Sequence, residues 1–230
     1  MPVPDPARRR AAVTATIASF TILLVIGVGL MARDSASWTA GEMNLLRQIN
    51  LAHVPAGDWI ALTINGVFSP LPAALIALAI GAIILVKTRR PQTAVRFLTL
   101  VAVPWLGTEV IKLVVHRERP DIPSLAHPLV LEPGGLSFPS GHTAFVASLL
   151  LALVVLARGR RGWPALVVVS AIGIVATAAS RVYLGVHYPT DVIASIVYTV
   201  AAVALVNTLF ERFVVPHWSH RGLATARTTV

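Results

Sequence analysis

The sequence predicts an all-α integral-membrane protein, a six-helix bundle with a short interfacial helix. Composition and the grouping of apolar residues both point there. The 230 residues are 56% hydrophobic and 13% charged, against about 25% charged in a soluble domain. Mean hydropathy is +0.76. The apolar residues gather into six runs, most of them near the roughly 20 residues that a helix needs to cross a bilayer. A net charge of +9 does not indicate nucleic acid as a partner, because no basic run is interleaved with aromatics on a polar surface. With no cysteine in the chain, disulfides, thiolate metal sites and cysteine nucleophiles are excluded.

The first run, Ala11–Met31, is uncharged and follows Arg8, Arg9 and Arg10. That basic lead and Ser35-Ala36-Ser37 resemble a signal peptide. The run exceeds the roughly 7–15 residues of such a core, so a retained anchor is expected. Met43, Leu46 and Ile49 then recur at helical spacing among Glu42, Asn44, Arg47 and Gln48. This predicts a short amphipathic helix, either lying in the interface or packed on the bundle. Ile60–Val86 is uncharged, with Asn65, Pro70 and Pro72 marking its first part as bent or interfacial. Phe97–Val115 is apolar except for Glu109 and Lys112. Ser140–Ala157, Gly162–Ala179 and Val192–Phe210 complete the six. No repeat or linker divides the chain, so one domain over residues 1–230 is expected, with 1–10 and 217–230 as cytoplasmic tails.

Loop charge orients the bundle. With the amino terminus inside, thirteen of the nineteen Lys and Arg fall in cytoplasmic segments: Arg8–Arg10, Lys87, Arg89, Arg90, Arg96, Arg158, Arg160, Arg161, Arg212, Arg221 and Arg227. Such a bias predicts both termini inside, in a multi-pass protein of the plasma membrane. Three polar clusters then meet at the outer face, around the ends of the last four spans.

An ionisable side chain at membrane depth costs at least ~2.5 kcal/mol, so these clusters carry function by default. Lys112 lies one turn from the end of its span, and Arg119-Pro120 follow, with proline barring a continued helix. An ammonium and a guanidinium fork suit a phosphate dianion. A plainer reading has Lys112 snorkelling and Arg117 and Arg119 flanking the membrane. Glu109, on the Lys112 face, is placed to neutralise it.

Pro139-Ser140-Gly141-His142 precedes an apolar helix. Ser140 is a candidate N-cap, and the free N–H groups of that turn form an anion site. Gly141 lets backbone approach a phosphate oxygen, and His142 is placed to protonate a leaving group. An ordinary cap with an interfacial histidine is the alternative. In the third cluster Ser180-Arg181 closes one span, and His187 and Asp191 flank the start of the next. A helical turn there puts His187 and Asp191 on one face. Aspartate bonded to one ring nitrogen leaves the other free to attack. A metal site from His142, His187 and Asp191 is disfavoured, because three nearby cations repel a divalent ion.

The pattern K-x6-R-P, P-S-G-H and S-R-x5-H-x3-D resembles the three-part signature of the type 2 phosphatidic acid phosphatase family, from about Trp59 to Phe213. Lys112, Arg119, Pro120, Pro139, Ser140, Gly141, His142, Ser180, Arg181, His187 and Asp191 fit without a departure. The six-span layout is similar to the family's integral-membrane branch, whereas its soluble haloperoxidase branch shares only the anion site. The resemblance implies a metal-independent, cofactor-free phosphoryl transfer. His187 would be the nucleophile, Asp191 its orienter and His142 the general acid. Lys112, Arg119, Ser140, Gly141 and Arg181 would hold the phosphate. An outward site favours a lipid phosphate or diphosphate of the outer leaflet, polyprenyl diphosphate first, then phosphatidic acid or phosphatidylglycerol phosphate. The loop from Asp121 to Phe138, with Asp121, His127 and Glu132 as its polar discriminators, does not rank them. A lipid-phosphate binder or transporter without turnover is the alternative class. It has no use for intact His142, His187 and Asp191, and no span pair shows an inverted repeat. Oligomeric state is not legible.

Overall fold

The computed structural model describes residues 5–130 and 135–215. The tail from 217, with Arg221 and Arg227, and the loop residue Glu132 lie outside the described residues. Among the described residues eight α-helices follow one another: α1 (Pro6–Asp34), α2 (Ala36–Leu51), α3 (Pro55–Val67), α4 (Pro70–Thr88), α5 (Pro91–Val115), α6 (Gly141–Leu156), α7 (Trp163–Tyr183) and α8 (Pro189–Leu209). Proline stands in the first turn of α1, α3, α4, α5, α7 and α8. Its missing N–H has no helical partner to lose there, and its fixed φ suits the helix.

Among the described residues five helices are long and apolar enough to cross a membrane: α1, α4, α5, α7 and α8 with its extension to Val214. The predicted second span is divided. α3 ends at Val67, Ser69 is extended, and Pro70 starts α4. The sixth apolar helix, α6, has 16 residues, or about 24 Å at 1.5 Å per residue, short of the ~30 Å hydrocarbon core. The shortfall is covered by protein. Ser140, which caps α6, is 0% exposed, and the run from Thr143 to Leu149 is buried throughout. α6 packs against α5, α7 and α8, so its polar end meets neighbouring helices rather than lipid.

α1 lies along α8, burying Ala18, Val25, Gly29 and Ala32. A Cβ at Gly29 would sit 2.5 Å from the Phe138 ring, so this glycine sets how closely α1 approaches the loop before α6. α2 packs on the bundle. Met43 and Leu46 join Ala61, Ile122, Leu125, Leu184, Val186 and Tyr188 in one buried cluster. At the far end Arg96 binds Asn207 and Glu211, and Arg8, Arg10, Arg158 and Arg212 line one cavity. These five arginines therefore gather opposite the three polar clusters.

Candidate active site

α5 ends one turn after Lys112, where His116 turns left-handed at φ 55 and its N–H bonds the Lys112 carbonyl. Lys112 Nζ donates to Glu109 Oε1 at 2.8 Å, the neutralising contact expected from their spacing. The chain then runs extended and is tied to the segment before α6. Ser137 N donates to Arg117 O at 2.8 Å and Ser137 Oγ to Glu118 O at 3.0 Å. This lashing brings the first cluster to the second. A Cβ on Gly141 would lie 3.6 Å from Lys112 Nζ, so the ammonium stands over the first turn of α6. Arg119 Nη1 donates to Val186 O at 3.1 Å, one residue before His187.

Ser140 is the N-cap of α6, its Oγ accepting from Thr143 N and from Thr143 Oγ1. Its own N–H reaches Asp191 O at 3.4 Å, and Ser195 Oγ bonds both Ser140 O and Asp191 O. The second cluster is thereby fastened to the start of α8. Asn65 on α3, read in the sequence only as a sign of bending, joins two further motif residues. His142 Nε2 is 3.2 Å from Asn65 O; a carbonyl only accepts, so this nitrogen carries the proton. Arg181, 0% exposed, donates through Nη1 to Asn65 Oδ1.

His187 and Asp191 do not share a helical face as the spacing suggested. Pro189 begins α8, Tyr188 caps it, and His187 precedes the cap. Asp191 folds back instead. Its Oδ2 accepts from Tyr188 N at 2.9 Å and lies 3.5 Å from His187 Nδ1. The ring nitrogen Nε2 is thus the one directed away from the carboxylate.

Arg117 is not a flanking cation. It is 2% exposed, donates through Nη1 to Asp191 Oδ1 at 2.7 Å and through Nη2 to Glu42 Oε2 at 2.6 Å. Its guanidinium carbon stands 4.1 Å from the centroid of the Tyr188 ring. Burial pushes the Tyr188 phenol above its ordinary pKa, with Arg117 opposing. Glu42 Oε1 in turn accepts from Thr190 N and Oγ1. Only the amphipathic pattern around Met43 hinted at α2, and nothing in spacing pairs Glu42 with Arg117.

All eight sequence-predicted residues thus sit at one end of the bundle, linked by short steps. Lys112, Arg119 and Arg181 supply positive charge around the N-terminus of α6, an arrangement able to hold a tetrahedral dianion. His142 and His187 are ring bases at that place. Among the described residues, His142, His187 and Asp191 do not form a metal-holding group.

Relatives share parts of this chain. It is 34% identical over 105 residues to undecaprenyl-diphosphatase BcrC of Bacillus subtilis, covering 45% of this chain and 49% of that one. It is 36% identical over 137 residues to decaprenylphosphoryl-5-phosphoribose phosphatase of Mycobacterium tuberculosis, 59% of this chain and 70% of the relative. Phosphatidylglycerophosphatase B of Escherichia coli is 36% identical over 101 residues, 43% and 39% of the two chains. The chain spans about half the length of the Bacillus diphosphatase it matches. In fold it resembles the crystal structure of a transmembrane PAP2 type phosphatidylglycerolphosphate phosphatase from Bacillus subtilis. The TM-score is 0.73 and the identity 21%, over 84% of this chain and 96% of that one. Residues 93–214, just over half of the sequence and all three clusters, match the PAP2 superfamily model, and the chain belongs to that superfamily.

Proposed function

We propose that this protein is a lipid phosphate or diphosphate phosphatase working by two-step, metal-independent phosphoryl transfer through His187. The observation that carries the reading is that His187, with Nδ1 3.5 Å from Asp191 Oδ2, lies at the same end of the bundle as three cations and the capped start of α6. Nε2 of His187 attacks phosphorus, and the P–N bond forms as the bond to the leaving oxygen breaks. His142 gives that oxygen a proton. Water then attacks phosphorus, His142 takes its proton, and the P–N bond breaks to release phosphate. Lys112, Arg119, Arg181, Ser140 and the Gly141 N–H stabilise the equatorial oxygens, where charge stabilisation contributes most to such reactions.

Polyprenyl diphosphate is the first-choice substrate, with phosphatidic acid and phosphatidylglycerol phosphate as alternatives. The names of the Bacillus and Mycobacterium relatives carry polyprenyl groups, and that of the Escherichia relative a glycerophospholipid. The whole chain serves as one catalytic domain in the plasma membrane, with both termini cytoplasmic and the site on the outer face. The gathering of Arg8, Arg10, Arg158 and Arg212 at the far end supports that orientation. The test is phosphate release from a panel of purified lipids with EDTA present. Turnover of polyprenyl diphosphate above the glycerophospholipids is expected. Release from none of them, with each shown to bind, would replace the enzyme by a binding protein.

A further inference from the structure

We infer that Glu42 and Arg117 form a positioning relay that holds the Asp191 carboxylate charged and turned toward His187, so that α2 is part of the catalytic apparatus. This rests on His187 being the nucleophile.

Asp191 is 0% exposed. A carboxylate removed from water favours its neutral form unless a positive partner compensates. Arg117 supplies that partner at 2.7 Å. The two carboxylate oxygens are divided between tasks: Oδ1 takes Arg117, while Oδ2 takes Tyr188 N and faces His187. Fixing Oδ1 therefore fixes the rotation of the group and the direction of Oδ2.

Arg117 is fixed by its other end. Glu42 Oε2 accepts from Nη2, and Glu42 Oε1 is clamped by both Thr190 N and Thr190 Oγ1. Thr190 adjoins Asp191, so Glu42, Arg117, Asp191 and Thr190 close a ring of bonds, with the Arg117 guanidinium over the Tyr188 ring. Both outer nitrogens of the Arg117 fork are committed to carboxylates. It acts through Asp191, and its charge is not offered to phosphate. The relay also balances the reaction. Two carboxylates and one guanidinium sum to a single negative charge beside His187, whose ring becomes cationic when Nε2 binds phosphorus and Nδ1 keeps its proton. Glu42 lies outside residues 93–214, so this support comes from a part of the chain beyond the family match.

The test uses the full-length protein in detergent with a lipid diphosphate, comparing Arg117→Ala, Arg117→Lys, Glu42→Gln and Asp191→Asn singly and in pairs. Arg117→Ala should lower kcat by roughly a hundredfold with KM changed little, and Glu42→Gln should lower kcat by about tenfold. Arg117→Lys should recover part of the loss. Adding Arg117→Ala or Glu42→Gln to Asp191→Asn should cost little more, because the relay has nothing left to position. Losses led by KM, losses that multiply with Asp191→Asn, or normal kcat in both single variants would overturn the relay. If Arg117→Ala does not fold, Glu42→Gln and its pair with Asp191→Asn decide alone. Undiminished turnover by His187→Ala would instead remove the nucleophile on which the relay depends.

Discussion

Asn65→Ala should impair the enzyme although Asn65 belongs to none of the sequence motifs. Its side chain carries the Oδ1 that accepts from Arg181, a guanidinium that is 0% exposed. A hydrogen bond to a charged group contributes about 1.5–3 kcal/mol, so kcat/KM should fall about ten- to hundredfold. The carbonyl that receives His142 Nε2 belongs to the backbone and survives the substitution, which confines the damage to Arg181. Affinity for vanadate, whose five-coordinate form resembles the transferring phosphoryl group, should fall in parallel. Asn65→Asp should be worse, because an anion against Arg181 competes with the phosphate. The assay is steady-state phosphate release with vanadate titration on the purified variants. Wild-type kcat/KM together with wild-type vanadate affinity in Asn65→Ala would refute the placement of Arg181 in the phosphate cradle.

Asp191→Asn should lose roughly a hundredfold or more in kcat, since the amide stabilises the wrong tautomer of His187; near-normal turnover would contradict the orienting role. Activity should persist in EDTA, and vanadate should inhibit; loss on chelation with recovery on adding magnesium or zinc would reinstate a metal. Topology is readable with single cysteines, because the chain has none. Ser124→Cys, on the exposed loop after Pro120, should react with an impermeant maleimide in intact cells, while Arg160→Cys should react only after the membrane is opened. Arg160 is preferred to its neighbour Gly159, whose φ of +79 disfavours a side chain. The reverse pattern would move the site to the cytoplasmic face.

The membrane class was legible in the sequence, and so was the convergence of the three polar clusters at one end of the bundle, because apolar runs and the cations clustered in them are costly and so conspicuous. Lys112 with Glu109 and the Ser140 cap were readable as local pairs, three residues apart on one helix or at its start. The division at Ser69 was half legible: Pro70 and Pro72 showed disturbance, but proline suits both a bend and a fresh N-terminus. The proximity of His187 and Asp191 was legible but its geometry was not, because a spacing of four is satisfied equally by one helical face and by a carboxylate folding back across a cap. Arg117, Glu42 and Asn65 were out of reach for a different reason. Their partners lie 74, 75 and 116 positions away, and only tertiary packing makes them neighbours. An arginine two residues before Arg119 looks like any membrane-flanking cation until its burial is known.

The most direct measurement is rapid quenching of the enzyme with phosphorus-labelled lipid diphosphate, followed by mapping of the protein-bound label. The expected product is an acid-labile, base-stable phosphoryl group on His187, formed before phosphate release and absent from His187→Ala. Label on another residue, or a His187→Ala enzyme that still turns over, would contradict phosphoryl transfer through this histidine.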